Sequence, residues 1–426
     1  MRRFALLLLL AAPALADTIA FRNVSVIPMT ANKVVEKQTV VVRDGKIVSI
    51  GKSAPKDATV IDGTGKFLIP GLAEMHGHIP PPKSEMIDEV LLEYVANGIT
   101  TVRGMLGQPG QLELREQAKK GEIVSPHLYL AGPSFNDQSI NSTDEAIEKV
   151  MQQKQEGWDL LKVHPGLTRA EYDAMAKTAH EQGMRFGGHV PADVGLLHAI
   201  ESGQETFDHI DGYVEYLKGD AGPVDEKQLA DVVKKTKDAG AWIVPTSALW
   251  EVIFDTIPLD TLKAYPELKY VSQKTVDNWS KLYEGRLTSI PRDVAKNVIA
   301  NRVRILRALH EGGVRILMGT DAPQQFSVPG FSLHRELLRM RDAGMSNYEI
   351  LRSGTVNVGE YFRKQDSFGT IEPGKRADLV LLDANPLTDI TNVAKIAGVL
   401  VGTKWYSRAD LDARLAKIEE KYSRSA

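Results

Sequence analysis

Between residues 72 and 320 the chain alternates short apolar runs with longer amphipathic stretches, and this alternation constrains the fold more than any other feature. The apolar runs lie at 72–78, 99–103, 128–131, 160–163, 185–189, 206–209, 242–245 and 315–320. Most are apolar or β-branched, as strands covered on both faces must be. Helical patterns separate most of them, among them KSEMIDEVLLEYVANG, TRAEYDAMAKTAHEQG and DVAKNVIANRVRILRALHEGG, which end in the glycine that commonly stops a helix. Eight strands separated by helices predict an α/β fold, a (β/α)8 barrel of the TIM type. The connection after the seventh run is overlong, so residues 246–290 are expected to form a helical excursion over the barrel mouth.

Both chain ends read differently. TIAFRNVSVIPM, KQTVVVRDGKIVSIG and ATVIDGTGKFLIPGL are short alternating runs, and Asp44-Gly45 marks a hairpin turn between two β-branched strands. GTIEPGKRADLVLLDANPL repeats the style far downstream. A small β domain assembled from both ends is therefore expected, with 17–70 and 369–405 as its two parts, the barrel at 71–368 and a C-terminal helix at 406–426.

The first residues look like a targeting segment. Arg2 and Arg3 precede the apolar FALLLLLAAP, and Ala14-Leu15-Ala16 has the small-residue form of a cleavage site. The run is too short for a membrane helix. Residues 1–16 are expected to be a signal peptide, with a periplasmic or secreted mature chain starting near Asp17 and no membrane attachment after cleavage. The absence of cysteine excludes disulfides and thiol catalysis. A net charge of −3 without a basic stripe argues against nucleic acid as a partner. A small-molecule substrate is expected instead, and a homo-oligomer is compatible with the sequence.

The chain has ten histidines, and GLAEMHGHIP puts two of them, His76 and His78, one residue apart at the end of the first strand. Alternate strand residues share a face, so both imidazoles project together from the end where barrel enzymes keep their chemistry. Two such imidazoles form half of a metal site, or else a polar loop after a strand. Lys162, His189, His209 and Asp321 end the fourth, fifth, sixth and eighth strands. Alone, each could be a satisfied polar group. Together at one mouth they are hard to explain as packing, because a buried charge cluster without metal is costly.

This constellation resembles the amidohydrolase superfamily, and the resemblance extends to the entry IDGTGKFLIPGLAEMHGH and the exit GTIEPGKRADLVLLDANP. KVHPGLTRAEY, GGHVP and GTDAP look like its secreted members related to imidazolonepropionase and Xaa-Pro dipeptidases. The resemblance implies that the β domain is a composite β-sandwich. It also implies two divalent cations, zinc by ligand preference. His76, His78 and Asp321 would hold one and His189 and His209 the other, with an N6-carboxylated Lys162 bridging them. A carbamate supplies anionic oxygens, which an ammonium cannot.

The implied activity is hydrolysis of an amide bond in a dipeptide or N-acyl amino acid. A metal-bridging hydroxide would attack, with Asp321 as proton shuttle. His164 and Tyr213 are weaker candidates for touching substrate. Lactone, carbamate or aryl-amide hydrolysis by the same centre is the alternative. A binding protein that has lost catalysis is the alternative from another class.

Overall fold

Asp44 and Gly45 both adopt left-handed φ values, 51° and 69°, and turn the chain between two paired antiparallel strands. These strands are β2 (Val35–Arg43) and β3 (Lys46–Gly51), preceded by β1 (Thr18–Val26) and followed by β4 (Thr59–Asp62) and β5 (Phe67–Pro70). Such a two-residue turn matches the twist of its flanking strands. The computed structural model describes residues 18–424, so the proposed signal peptide lies outside the described residues.

The barrel strands follow: β6 (Leu72–Gly77), β7 (Ile99–Gly104), β8 (His127–Leu130), β9 (Leu161–Val163), β10 (Phe186–Gly188), β11 (Thr206–Asp208), β12 (Trp242–Val244) and β13 (Arg315–Ile316). The chain then returns to the β domain with β14 (Leu379–Leu382), β15 (Ile396–Val401) and β16 (Lys404–Ser407).

All barrel pairings are parallel, in the runs β6-β7-β8 and β9-β10-β11-β12-β13. Hydrogen bonds join the two runs. Asp159 N–H donates to Leu130 O at 2.9 Å on one side. On the other, Met75 N–H donates to Met318 O at 2.9 Å and Asp321 N–H to His76 O at 2.7 Å. The result is a closed TIM-type barrel, whose closure leaves no exposed sheet edge. Its helices start and stop on local signals. The helix Thr143–Glu156, for example, begins where the Ser142 side chain accepts from Glu145 N–H and ends at Gly157, with φ of 89°.

The β domain is one eight-stranded sheet ordered β16-β15-β14-β5-β1-β2-β3, with β4 on β1. It closes as a β-sandwich over a core in which Phe21, Val40 and Leu68 from the N-terminal part meet Leu379 and Leu400 from the C-terminal part. Buried Asp378 ties this domain to the barrel, accepting from His127 Nε2 at 3.1 Å and Gly402 N–H at 3.1 Å and pairing with Arg376. The C-terminal helix Arg408–Ser423 packs back on the helix Ile87–Ala96, where Tyr422 donates to Glu89 at 2.6 Å.

The excursion after β12 holds the helices Ser247–Ile253, Leu259–Lys263 and Gln273–Leu287. Val252, Leu262, Val276 and Tyr283 pack with Phe326 and Val328, which lie just beyond Asp321. The excursion therefore rests on the loop after the eighth barrel strand, beside the mouth. No helix among the described residues is long and apolar enough to cross a membrane.

Candidate metal centre

Because β6 alternates its side chains, His76 and His78 leave it together. His76, His78 and Asp321 bring one possible ligand atom each within 4.8 Å of one another. His78 Nε2 lies 2.5 Å from Asp321 Oδ1, and His76 Nε2 lies 3.6 Å from the same oxygen. The other candidates are adjacent. His209 Nε2 is 3.7 Å from Asp321 Oδ2, the rings of His189 and His209 are centred 4.6 Å apart, and Lys162 Nζ lies 3.1 Å from His76 Nε2. The six residues singled out at strand ends are thus neighbours at the C-terminal mouth of the barrel.

Three of the rings are braced from behind. His76 Nδ1 lies 2.7 Å from Asp208 Oδ2, His189 Nδ1 2.5 Å from Asp211 Oδ2, and His209 Nδ1 2.8 Å from Thr246 Oγ1. Engaging Nδ1 fixes the ring and leaves Nε2 to face the centre. Glu74 braces the backbone in the same way. Its Oε1 accepts from His76 N–H at 3.0 Å and Thr320 N–H at 2.8 Å, locking the first barrel strand to the eighth. His209 and Asp321 also hold φ values of 64° and 66°. Non-glycine residues seldom enter that region, and such strain clusters at functional sites.

The electrostatics suit cations. Burial holds His76 and His209 well below the usual imidazole range, so both are neutral and have a lone pair to offer. Burial also lowers the Lys162 amine to about 8, against the opposing pull of Asp208 and Asp321. Burial pushes Asp208 upward, but Arg103 and Lys162 outweigh it and keep the carboxyl below its ordinary value. His209 Nε2 is buried with no hydrogen-bond partner among the described residues. An orphaned acceptor beside two more imidazoles and a carboxylate is costly unless something electropositive meets it. The residues present therefore fit divalent metal.

The two weaker candidates separate. His164 is half-buried and its ring is centred 4.9 Å from that of His189, so it remains beside the centre. Tyr213 does not serve as a mouth residue, which corrects the substrate-contact expectation. It is fully buried, and its hydroxyl is paired at 2.7 Å with Thr236 on the helix Glu226–Asp238.

Sequence reasoning missed the braces Asp208, Asp211, Thr246 and Glu74. The signal available was Arg103, a cation ending an apolar strand, which requires a buried anion.

The Amidohydrolase family model matches residues 67–406. A 5-methylthioadenosine/S-adenosylhomocysteine deaminase of Thermoanaerobacter pseudethanolicus is 24% identical over 387 residues, spanning 85% of this chain and 84% of the relative. An imidazolonepropionase of Geobacillus sp. is 23% identical over 382 residues, spanning 82% of this chain and 84% of that protein. The crystal structure of a Xaa-Pro dipeptidase with bound methionine superposes with a TM-score of 0.70 at 21% identity, covering 92% of this chain and 100% of that one. The match over most of the chain, on a closed barrel with these histidines at its mouth, makes this protein a member of the amidohydrolase family.

Proposed function

We propose that this protein is an exported, binuclear metal-dependent hydrolase that cleaves the amide bond of a dipeptide or N-acyl amino acid. Family membership makes it a hydrolase of carbon–nitrogen bonds. The observation that carries the finer reading is the set of braced imidazoles around the buried His209 Nε2, which has no hydrogen-bond partner among the described residues. His76, His78 and Asp321 would hold one cation, His189 and His209 the second, and a carboxylated Lys162 would bridge them. When bound, such cations acidify water and polarise a carbonyl.

The chain's own residues do the rest. Asp321 takes the proton of the attacking water and returns it to the leaving nitrogen as general base and then acid. Its backbone N–H, anchored on His76 O at 2.7 Å, fixes where that carboxylate stands. A Lys162 amine lowered to about 8 is partly neutral near physiological pH, the form that carbon dioxide carboxylates. The dipeptide reading is supported by the Xaa-Pro dipeptidase likeness, and the binuclear reading by Lys162, whose amine lies 3.1 Å from His76 Nε2. Export is supported by the basic, apolar, small-residue order of residues 1–16, and N-terminal sequencing of natively expressed protein tests it.

The deciding experiment is a screen of metal-loaded protein against dipeptides, N-acyl amino acids, lactones and 5-methylthioadenosine. Release of free amine from the first two classes is expected. Deamination of the nucleoside with no amide cleavage would overturn the reading.

A further inference from the structure

The helix Ser247–Ile253 leaves the C-terminal end of β12 and is fixed against the candidate centre at its first turn. Thr246 holds His209, and the buried Glu336 carboxylate accepts from Ser247 N–H at 2.9 Å and Ala248 N–H at 2.7 Å. One turn on stands Trp250, half-buried, its ring centred 6.1 Å from His209 and 5.7 Å from half-buried Phe254.

The Arg302 guanidinium carbon lies 4.0 Å from the Trp250 ring centroid. Arg302 is only 4% exposed, whereas Trp250 beside it keeps part of its surface exposed. Arg302 Nε and Nη2 and Trp250 Nε1 have no hydrogen-bond partner among the described residues, so the guanidinium meets the ring by stacking and not through a hydrogen bond. Asp211, Glu215 and Glu336 are the carboxylates whose charge it feels. A cation over one face draws the π-density toward itself, leaving the opposite face poor at attracting a second cation but well suited to stacking on a neutral ring.

We propose that Trp250, oriented by Arg302, is a specificity-determining wall beside His209 that selects substrates carrying a neutral planar ring next to the scissile amide. This inference rests on the amide-hydrolase reading above. Trp250 would touch substrate, and Arg302 is a positioning residue acting through it.

The test compares kcat/KM for N-acetylphenylalanine and N-acetylalanine, alongside metal content, in wild type and in Trp250→Ala, Trp250→Phe, Arg302→Met and Arg302→Lys. Wild type should prefer the phenylalanine substrate. Trp250→Ala should cut that preference about tenfold, mainly through KM, because an aromatic pair and its buried area are lost. Trp250→Phe should retain most of it. Arg302→Met should lose part, and Arg302→Lys should recover some by keeping a cation on the ring. Metal content should be the same in all five proteins. A Trp250→Ala preference within twofold of wild type, at full metal content, would overturn the proposal. Calorimetric binding of the same two compounds reads the preference without turnover. Binding preference without hydrolysis would sink the amide reading alone, and equal binding of both compounds would sink the Trp250 proposal.

Discussion

Arg103 grips Asp208 inside the barrel, its Nη2 lying 3.1 Å from Oδ1 and 2.9 Å from Oδ2 of the same carboxylate. Neither side chain has any exposure. Asp208 in turn meets His76 Nδ1 at 2.7 Å, so a charge well below the mouth governs the orientation of a candidate ligand. Arg103 also donates to Met75 O, Thr206 Oγ1 and Tyr361 OH, which spends its donors and fixes the fork.

Asp208→Asn should weaken metal binding about 10–100-fold, the usual cost of losing an outer carboxylate from a ligating histidine. Chelator competition measures it. Arg103→Met should destabilise the protein by about 3–5 kcal/mol in urea unfolding, because it strands a buried carboxylate. Unchanged affinity in the first variant would separate Asp208 from the centre.

Asp321→Asn keeps an oxygen beside His78 but cannot carry a proton. Turnover should fall by about 10²–10⁴-fold with much of the metal retained. His76→Ala should lose turnover and metal together. An Asp321 variant with near-normal turnover would reject the proton-shuttle role.

Burial raises the Glu336 carboxyl to about 7 from its ordinary 4.5. Between those pH values the folded chain holds a proton that the unfolded chain has released. The contribution of Glu336 to stability is therefore full below about 4.5 and lost as pH rises through about 7. In urea unfolding of the metal-free proteins, wild type should lose about 1–3 kcal/mol relative to Glu336→Gln as pH rises across that window. A difference that stays flat with pH would mean the carboxyl titrates normally.

The barrel was legible because seven of its strands are compact apolar runs in a chain whose helices announce their own ends. The eighth was harder to bound. Residues 315–320 read as one strand, yet regular pairing stops at Ile316. Beyond it the backbone bonds Met75 N–H through Met318 O and reaches the Glu74 carboxylate through Thr320 N–H, before Asp321 turns to positive φ. A side chain replaces part of the ladder there, which no periodicity reveals.

The polar residues at the mouth were legible for a related reason: each ends an apolar run, where a histidine or lysine stands out. Their braces were not. Asp208 sits inside the run read as the sixth strand and Asp211 just beyond it, and only the fold brings Asp208 to Arg103 and Asp211 to His189. Tyr213 failed for the converse reason. Likeness to the dipeptidase relatives put it at the mouth in the sixth loop, but the chain turns through Gly212, with φ of 81°, and buries the ring against Thr236.

The central claim, a pair of cations bridged through Lys162, is tested most directly by counting metal in purified protein by mass spectrometry. Wild type should carry close to two equivalents per chain, and Lys162→Ala should keep at most one, because an amine without its carboxylate offers no anionic bridge. A wild type that binds a single equivalent under saturating metal, or a Lys162→Ala variant that still binds two, would contradict it.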